Sequence, residues 1–283
     1  MALAAPTIAA TPRADTGGVD LVVSAIPAGA TSVTVKRTHP SGRVWTVRQW
    51  NAAPTGGAPS MQGTDFEAPL GVPVTYTATA SSATETSPAS APKTVTLETN
   101  ATATVWLKDP RSPALNLRVG VERFDTQQFD GRIGVMDVIG RPAPVTIGDV
   151  RQAATGTIVL VSPDADHTVS LHYLTASGNP LLFQTSPRYG IGNLYMSVTK
   201  VSEARATRLG MYAERRLSLE FVEVDPPVGL PSGGLNTYAT VKSGYATYAA
   251  VLAGEADYLD LAQHVNAGGA QRSLVDLLPW RGG

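Results

Sequence analysis

Leu70-Gly-Val-Pro-Val-Thr-Tyr76-Thr-Ala-Thr-Ala80 decides the fold of the first half of the chain. Val74, Tyr76, Ala78 and Ala80 alternate with threonines, so a strand here turns its apolar residues to one face and its hydroxyls to the other. Leu70 lies six residues before Tyr76, and Gly71 and Pro73 between them mark a corner. Working outward, Val19-Asp-Leu-Val-Val-Ser-Ala25 reads as a first strand. Ser32–Thr38 and Arg43–Trp50 read as two more, joined by the turn His39-Pro-Ser-Gly42. Asn51 to Gly63 is rich in Gly, Pro and Ala and reads as a loop, as does the Ser/Ala/Thr/Pro stretch from Ser81 to Pro92. Thr94–Glu98 closes a β-sandwich expected over residues 15–98, preceded by an N-terminal arm, residues 1–14.

The pairing of Leu70 with Tyr76 ahead of a Tyr-x-Ala-x-Ala strand resembles the E–F corner and F strand of fibronectin type III domains. That resemblance implies that Tyr76 packs in the core with Leu70 and that its hydroxyl bonds back to the corner backbone. Read from the residues alone, Tyr76 is a buried tyrosine on a β-strand.

The 283 residues are enough for two domains, each with its own core. Only 16% of residues are charged, against 43% hydrophobic, with 27 glycines and 21 prolines. That mix favours short strands and turns over long helices. A net charge of −1 supplies no basic field for nucleic acid. The absence of cysteine excludes disulfides and thiolate metal sites. No apolar run is long enough for a membrane helix. Met1 to Ala10 lacks a charged n-region and a continuous apolar stretch, and Pro6 interrupts it, so it reads as an extended arm rather than a secretory signal.

Residues 99–229 are again strand-rich and are expected to form a barrel or a two-sheet sandwich. Candidate strands are Ala103–Leu107, Leu115–Val121, Gly131–Ile139, Gly156–Val161, Leu181–Thr185, Leu194–Val201 and Arg216–Val224. Thr168–Leu174 fits a strand or a short helix capped by Asp164 or Asp166. Asp225-Pro-Pro227 ends the block. Residues 230–283 carry a decapeptide repeat: Tyr238 with Val241, Tyr248 with Val251, Tyr258 with Leu261. Ten residues leave an ideal helix about 80° short of three turns, so short capped turns fit better than one straight helix. Turns so short cannot stand alone in water, and the extension, with Tyr245 also in it, is expected to dock on a groove of a neighbouring subunit.

Sequence motifs for chemistry are lacking: there is no phosphate-binding loop, nucleophile elbow or paired-histidine zinc helix. His167 and His172 point apart on a strand or a helix, and His39 sits in a turn. Ser162-Pro-Asp-Ala-Asp-His167 lacks the glycine and distal glutamate of a calcium loop and reads as a capped turn. Glu220 and Glu223 have opposite parity on a strand, and one of them is expected against an arginine such as Arg215 or Arg216. Arg205, Arg208, Arg215 and Arg216 interleave with Glu203, Glu214 and Glu220, which suits a salt-bridged surface or subunit contact. The expectation is a non-enzyme with no catalytic, metal or cofactor residues.

Three stretches resemble minor tail proteins of siphophages that infect actinobacteria. They are Val105-Trp-Leu-Lys-Asp-Pro110 with the following Arg111-Ser-Pro-Ala-Leu-Asn, then Val198–Arg205 through Arg215–Pro226, and the Tyr-Ala-x-Val repeat, where the family carries tryptophan in place of tyrosine. The resemblance spans roughly residues 100–283 and singles out Trp106. It implies a virion structural protein of the distal-tail or tail-tip type, assembled in the host cytoplasm. Such proteins form homo-oligomeric rings, a hexamer being one form, and contact tail-tube and tail-tip hub proteins. The fibronectin-like domain would then be an outward decoration meeting host surface glycans. The other class that fits is a secreted or surface carbohydrate-binding adhesin.

Overall fold

Alternating burial along the Val74–Ala80 stretch is what two facing sheets require. In the computed structural model of the chain, which describes residues 3–98, 105–124, 127–137, 139–140, 142–207 and 212–227, strands dominate and a single α-helix is present among the described residues. The expected all-β class is what the chain adopts.

The first half holds β1 (Thr7–Arg13), β2 (Gly18–Ser24), β3 (Ser32–Thr38), β4 (Val44–Thr46), β5 (Ala53–Pro54), β6 (Met61–Asp65), β7 (Pro73–Ser81) and β8 (Lys93–Thr96). One sheet has the order β1-β2-β6; the other has β4-β3-β7-β8, with β5 also on β3. Val19, Leu21 and Val23 of β2 face Val33, Val35, Val74, Tyr76, Ala78 and Ala80 in one core. Leu70 bridges Leu97 at its edge.

Four expectations need correction here. The N-terminal arm is a strand: β1 pairs with β2 over its whole length, from Thr7↔Ser24 to Arg13↔Gly18. Its inward residues are Ile8 and Ala10, too small a signal to stand out from the flanking alanines. Arg43–Trp50 is not one strand, because the chain leaves β4 in a 3-10 turn, Arg48–Trp50, that drops Trp50 into the core. The expected loop at Asn51–Gly63 contains β5 and starts β6, whose polar Met-Gln-Gly-Thr-Asp is held by its register on β2. The Ser81–Pro92 stretch is irregular but pairs with β7. Ser87 and Ser90 donate their N–H groups to the Ala80 and Ala78 carbonyls, each at 2.8 Å. Their hydroxyls accept from the Ala80 and Ala78 N–H groups, each at 2.9 Å. Serine side chains thus satisfy the β7 edge where prolines 88 and 92 preclude a regular ladder.

The second half holds β9 (Val105–Lys108), β10 (Leu117–Phe124), β11 (Ile133–Met136), β12 (Val145–Gly148), β13 (Thr155–Ser162), α1 (Ala165–Ala176), β14 (Leu181–Gln184), β15 (Leu194–Arg205) and β16 (Arg215–Glu223). Of the two architectures expected, the barrel is the one formed. It closes in the antiparallel order β10-β13-β16-β15-β14-β9, so each stave has a partner on both sides. Val119, Ile158, Leu160, Met196, Leu217, Leu219 and Phe221 fill it. Thr168–Leu174 lies inside α1, with Asp164 as N-cap accepting from the His167 N–H at 2.7 Å. Leu171 and Leu174 of α1, three apart and therefore on one face, are buried in the barrel core. The expected strand at Gly131–Ile139 is no barrel stave; its centre, β11, pairs only with β12, which the sequence reading did not find.

Candidate functional site

β9 and β14 are short, adjacent and buried at all four positions. Two-sided burial of a period-2 strand needs a hydrophobic layer on each face. Here Val105, Leu107, Leu181 and Phe183 point into the barrel, while Trp106, Lys108, Leu182 and Gln184 point at the sandwich. Trp106, 5% exposed, belongs to the sandwich core although its backbone belongs to the barrel. Its ring lies against Gly17, where φ is +66° and a Cβ would fall 2.6 Å from the indole Cε2. Lys108 and Arg118 place cations 5.5 and 5.9 Å from the same ring.

The polar side of this seam is built around Asp65-Phe-Glu-Ala68, the segment leaving β6. Lys108 Nζ donates to the Phe66 carbonyl at 2.8 Å, to the Gly17 carbonyl and to Gln184 Oε1. Gln184 Nε2 donates to the Ala68 carbonyl at 2.7 Å. Glu67 accepts from Arg48 Nη2 at 2.7 Å and, across the seam, from the Tyr195 hydroxyl at 2.6 Å. Asp65, 2% exposed, accepts from Arg37 Nη1 at 2.5 Å and the Tyr76 hydroxyl at 2.9 Å. Burial pushes the Lys108 ammonium down to about 7. Its three acceptors, with no donor among them, oppose that, because only the charged amine has three N–H groups to offer. Burial, then Asp65, raises the Tyr76 phenol well above its ordinary value; burial, then Glu67, does the same for Tyr195. Desolvation works against the Arg37 guanidinium, and Asp65 together with Tyr76 and Glu67 more than offsets it.

Leu70, Tyr76 and Trp106 are thus core and seam residues. The Tyr76 hydroxyl expectation is corrected: it donates to the Asp65 carboxylate rather than to corner backbone. Tyr238, Val241, Tyr248, Val251, Tyr258 and Leu261 lie outside the described residues. Arg37, Arg48, Asp65, Glu67, Lys108 and Gln184 escaped the sequence reading; the only trace was polar residues at strand ends. The carboxylates weighed for catalysis, both on β16, are engaged by different partners. Glu220 pairs with Lys200 at 2.9 Å, not with Arg215 or Arg216, which bind Glu203, Glu122 and Glu214. Glu223 accepts from the Ala154 N–H at 3.2 Å. His167 bonds the Ser162 hydroxyl and the Arg118 carbonyl, and His172 bonds Glu203.

The second feature is the β11-β12 ribbon. Register Ile133↔Gly148, Gly134↔Ile147, Val135↔Thr146 and Met136↔Val145 puts Ile133 and Val135 on one face and Met136, Val145 and Ile147 on the other. Both faces are open: Ile133, Val135 and Ile147 are each about 60% exposed. Ile139 and the flanking Phe129 and Val150 are exposed as well. A two-stranded ribbon is marginal by itself in water, and an apolar one needs cover.

The chain matches no protein-family model and no curated protein.

Proposed function

We propose that the chain is a structural subunit of a bacteriophage tail, of the distal-tail or tail-tip type, that joins copies of itself into a closed ring through its barrel domain. The observation that carries the self-association is the β11-β12 ribbon, apolar and exposed on both faces. A closed barrel offers no edge strand of its own for pairing, so the ribbon is its adhesive element. A contact in which one copy's ribbon lies on a different surface of the next is heterologous, and heterologous contacts build a ring when the rotation from copy to copy closes on itself. The tail assignment rests on the sequence resemblance around Val105–Pro110 and Val198–Pro226. In this reading the ring meets tail-tube and hub proteins and is assembled in the host cytoplasm. The sandwich is a fibronectin-like outward domain, a reading supported by its two facing sheets, of three and five strands, and by the buried Tyr76.

Sedimentation velocity on the full chain tests the association. The wild type is expected to form one closed oligomer. Replacing Ile133, Val135 and Ile147 by Asp is expected to give a monomer with unchanged circular dichroism and melting. A wild-type monomer at every concentration, or a variant that still assembles, overturns it. Gold-labelled antibodies to the chain are expected to decorate the tail tip of the virion encoding it; labelling elsewhere removes the tail assignment.

A further inference from the structure

A cleft of about 640 Å³ lies where the sandwich meets the barrel. Trp45, Arg43 and Arg48 line it from the sandwich, and Leu182, Asn193 and Tyr195 from the barrel. Domain junctions are common places for small-ligand sites, because two rigid walls meet there without filling the space between them.

Trp45 is 41% exposed, on a short edge strand. It is nevertheless held. The Arg37 guanidinium lies 5.7 Å from the ring centroid, and the His39 imidazole meets it edge-on at 6.2 Å and 88°. His39 is itself tied to the Ser41 hydroxyl at 2.8 Å. Arg37 cannot swing away, since Asp65 fixes its Nη1. The indole is therefore a fixed platform on the cleft wall rather than a loose surface side chain.

Charge points to the kind of molecule that fits. Arg37, Arg43 and Arg48 line the cleft against a single carboxylate, Glu67, with Asp65 behind it. Arg37 is engaged by Asp65 and Arg48 by Glu67; Arg43, exposed, has no ion pair among the described residues. The Arg37 Nε–H is buried and unpartnered, so part of that guanidinium also stays uncompensated. Polar amides at Asn51 and Asn193 complete the lining.

We infer that this cleft binds an acidic saccharide, its ring stacked on Trp45 and its carboxylate or phosphate held by Arg43. The C–H face of a pyranose is apolar and slightly positive, which suits the negative face of an indole. The planar fork of arginine matches a carboxylate or phosphate through two parallel hydrogen bonds. Hydroxyl groups around the sugar find donors and acceptors in Asn51, Asn193 and the Tyr195 rim. A nucleic-acid strand fits less well, because a polyphosphate needs a row of free cations and the described residues bring one, Arg43, to the cleft. The inference is independent of ring formation.

Calorimetric titration of the full chain with trigalacturonate, mannose 6-phosphate, maltotriose and pentaglutamate tests it. Saturable binding of at least one acidic sugar is expected, and which one binds separates carboxylate from phosphate recognition. Maltotriose is expected to bind about tenfold or more weakly, as is the acidic sugar to Arg43→Ala, the loss of one charge-assisted pair. Trp45→Ala is expected to abolish measurable binding; should that variant melt early, Arg43→Ala alone decides. The Ile133, Val135 and Ile147 to Asp variant is expected to bind like the wild type, whatever its oligomeric state. No saturable binding of either acidic sugar, or wild-type affinity in Arg43→Ala, overturns the inference. Pentaglutamate binding as tightly as the sugars does so too, and would make the cleft an acidic-peptide groove.

Discussion

Replacing Gly17 by alanine tests the seam without emptying either core. Two costs add. At φ +66° an alanine sits in the left-handed region, which costs about 1–2 kcal/mol. Fewer conformations in the unfolded chain return roughly 0.4–1 kcal/mol of that. The new methyl would also meet Trp106 Cε2, Cδ2 and Cζ2 at 2.6, 2.9 and 3.0 Å. The ring has nowhere to retreat: it is packed in the sandwich core, and its backbone is pinned between β10 and β14, opposite Arg118 and Gln184. Overpacking of that kind costs about 1–3 kcal/mol. Gly56 supplies the control, since its φ is +56°, in the same left-handed region, and nothing lies within 4 Å of its hypothetical Cβ. Gly56→Ala therefore carries the backbone cost alone. Urea unfolding followed by circular dichroism is expected to show Gly17→Ala losing about 1–3 kcal/mol more than Gly56→Ala, read on the first transition if two are resolved. In a Trp106→Ala background the two glycine variants should become equal, which isolates the ring as the cause. Equal losses in the wild-type background would mean that Trp106 does not press on Gly17, and the seam described above would be wrong.

Tyr76→Phe removes only the hydroxyl on Asp65 and should cost about 1–2 kcal/mol in urea unfolding, against about 3–5 for Tyr76→Ala; equal losses would show the ring is not packed. Asp164→Ala removes the N-cap of α1 and should cost about 1 kcal/mol, with faster amide exchange at His167; unchanged exchange there would remove the cap. Burial lowers Lys108 from 10.5 to about 7, so above pH 7 the unfolded chain binds more protons than the folded one and stability rises with pH. Tyr76 and Tyr195, raised by burial, act in the opposite sense above their ordinary value of 10, which confines the test to pH 7–9. The rise has a ceiling of about 1.4 kcal/mol per pH unit, reduced by the three acceptors on Nζ. Melting of the wild type relative to Lys108→Met should therefore climb across that window, and a fall would contradict the buried amine.

What could be read from sequence followed the strength of the local signal. Val74–Ala80 and Ser32–Thr38 alternate cleanly, and both are strands within a residue or so of the expected bounds. Leu70 and Tyr76 are buried as their spacing implied, yet the hydroxyl partner, Asp65, lies eleven residues away on another sheet, where no local pattern points. β6 has one large apolar residue in five and exists because β2 offers it a ladder, a tertiary cause invisible in a window of its own residues. Val105-Trp-Leu-Lys108 shows the other limit. Its apolar run announces a buried strand, but that Trp106 and Lys108 face a different domain from Val105 and Leu107 depends on what lies on the far side. The exposed ribbon reads in sequence like a buried one, because hydrophobicity marks what needs cover and not what provides it.

The seam is polar where the two cores it joins are apolar, and the contrast has a physical consequence. Two guanidinium groups, Arg37 and Arg48, and the Lys108 amine meet two carboxylates, Asp65 and Glu67, beside carbonyls of Gly17, Phe66 and Ala68. Burying such a set returns little net stability, since desolvation consumes most of what the pairs contribute. An apolar seam of equal area would hold the domains at least as tightly, but it would tolerate sliding, because dispersion has no direction. Each hydrogen bond here is satisfied at one relative placement of β9 and β14 against the Asp65–Ala68 segment, and a shift of an ångström orphans several buried groups at once. Removing them together should therefore loosen orientation more than stability. With Lys108→Met, Gln184→Leu and Tyr195→Phe combined, the expected result is a melting point near the wild type but a broadened distribution of distances between spin labels at Ser41 and Ser170, one on each domain. A distribution as narrow as the wild type's would show that Trp106 and its apolar neighbours alone set the angle between sandwich and barrel.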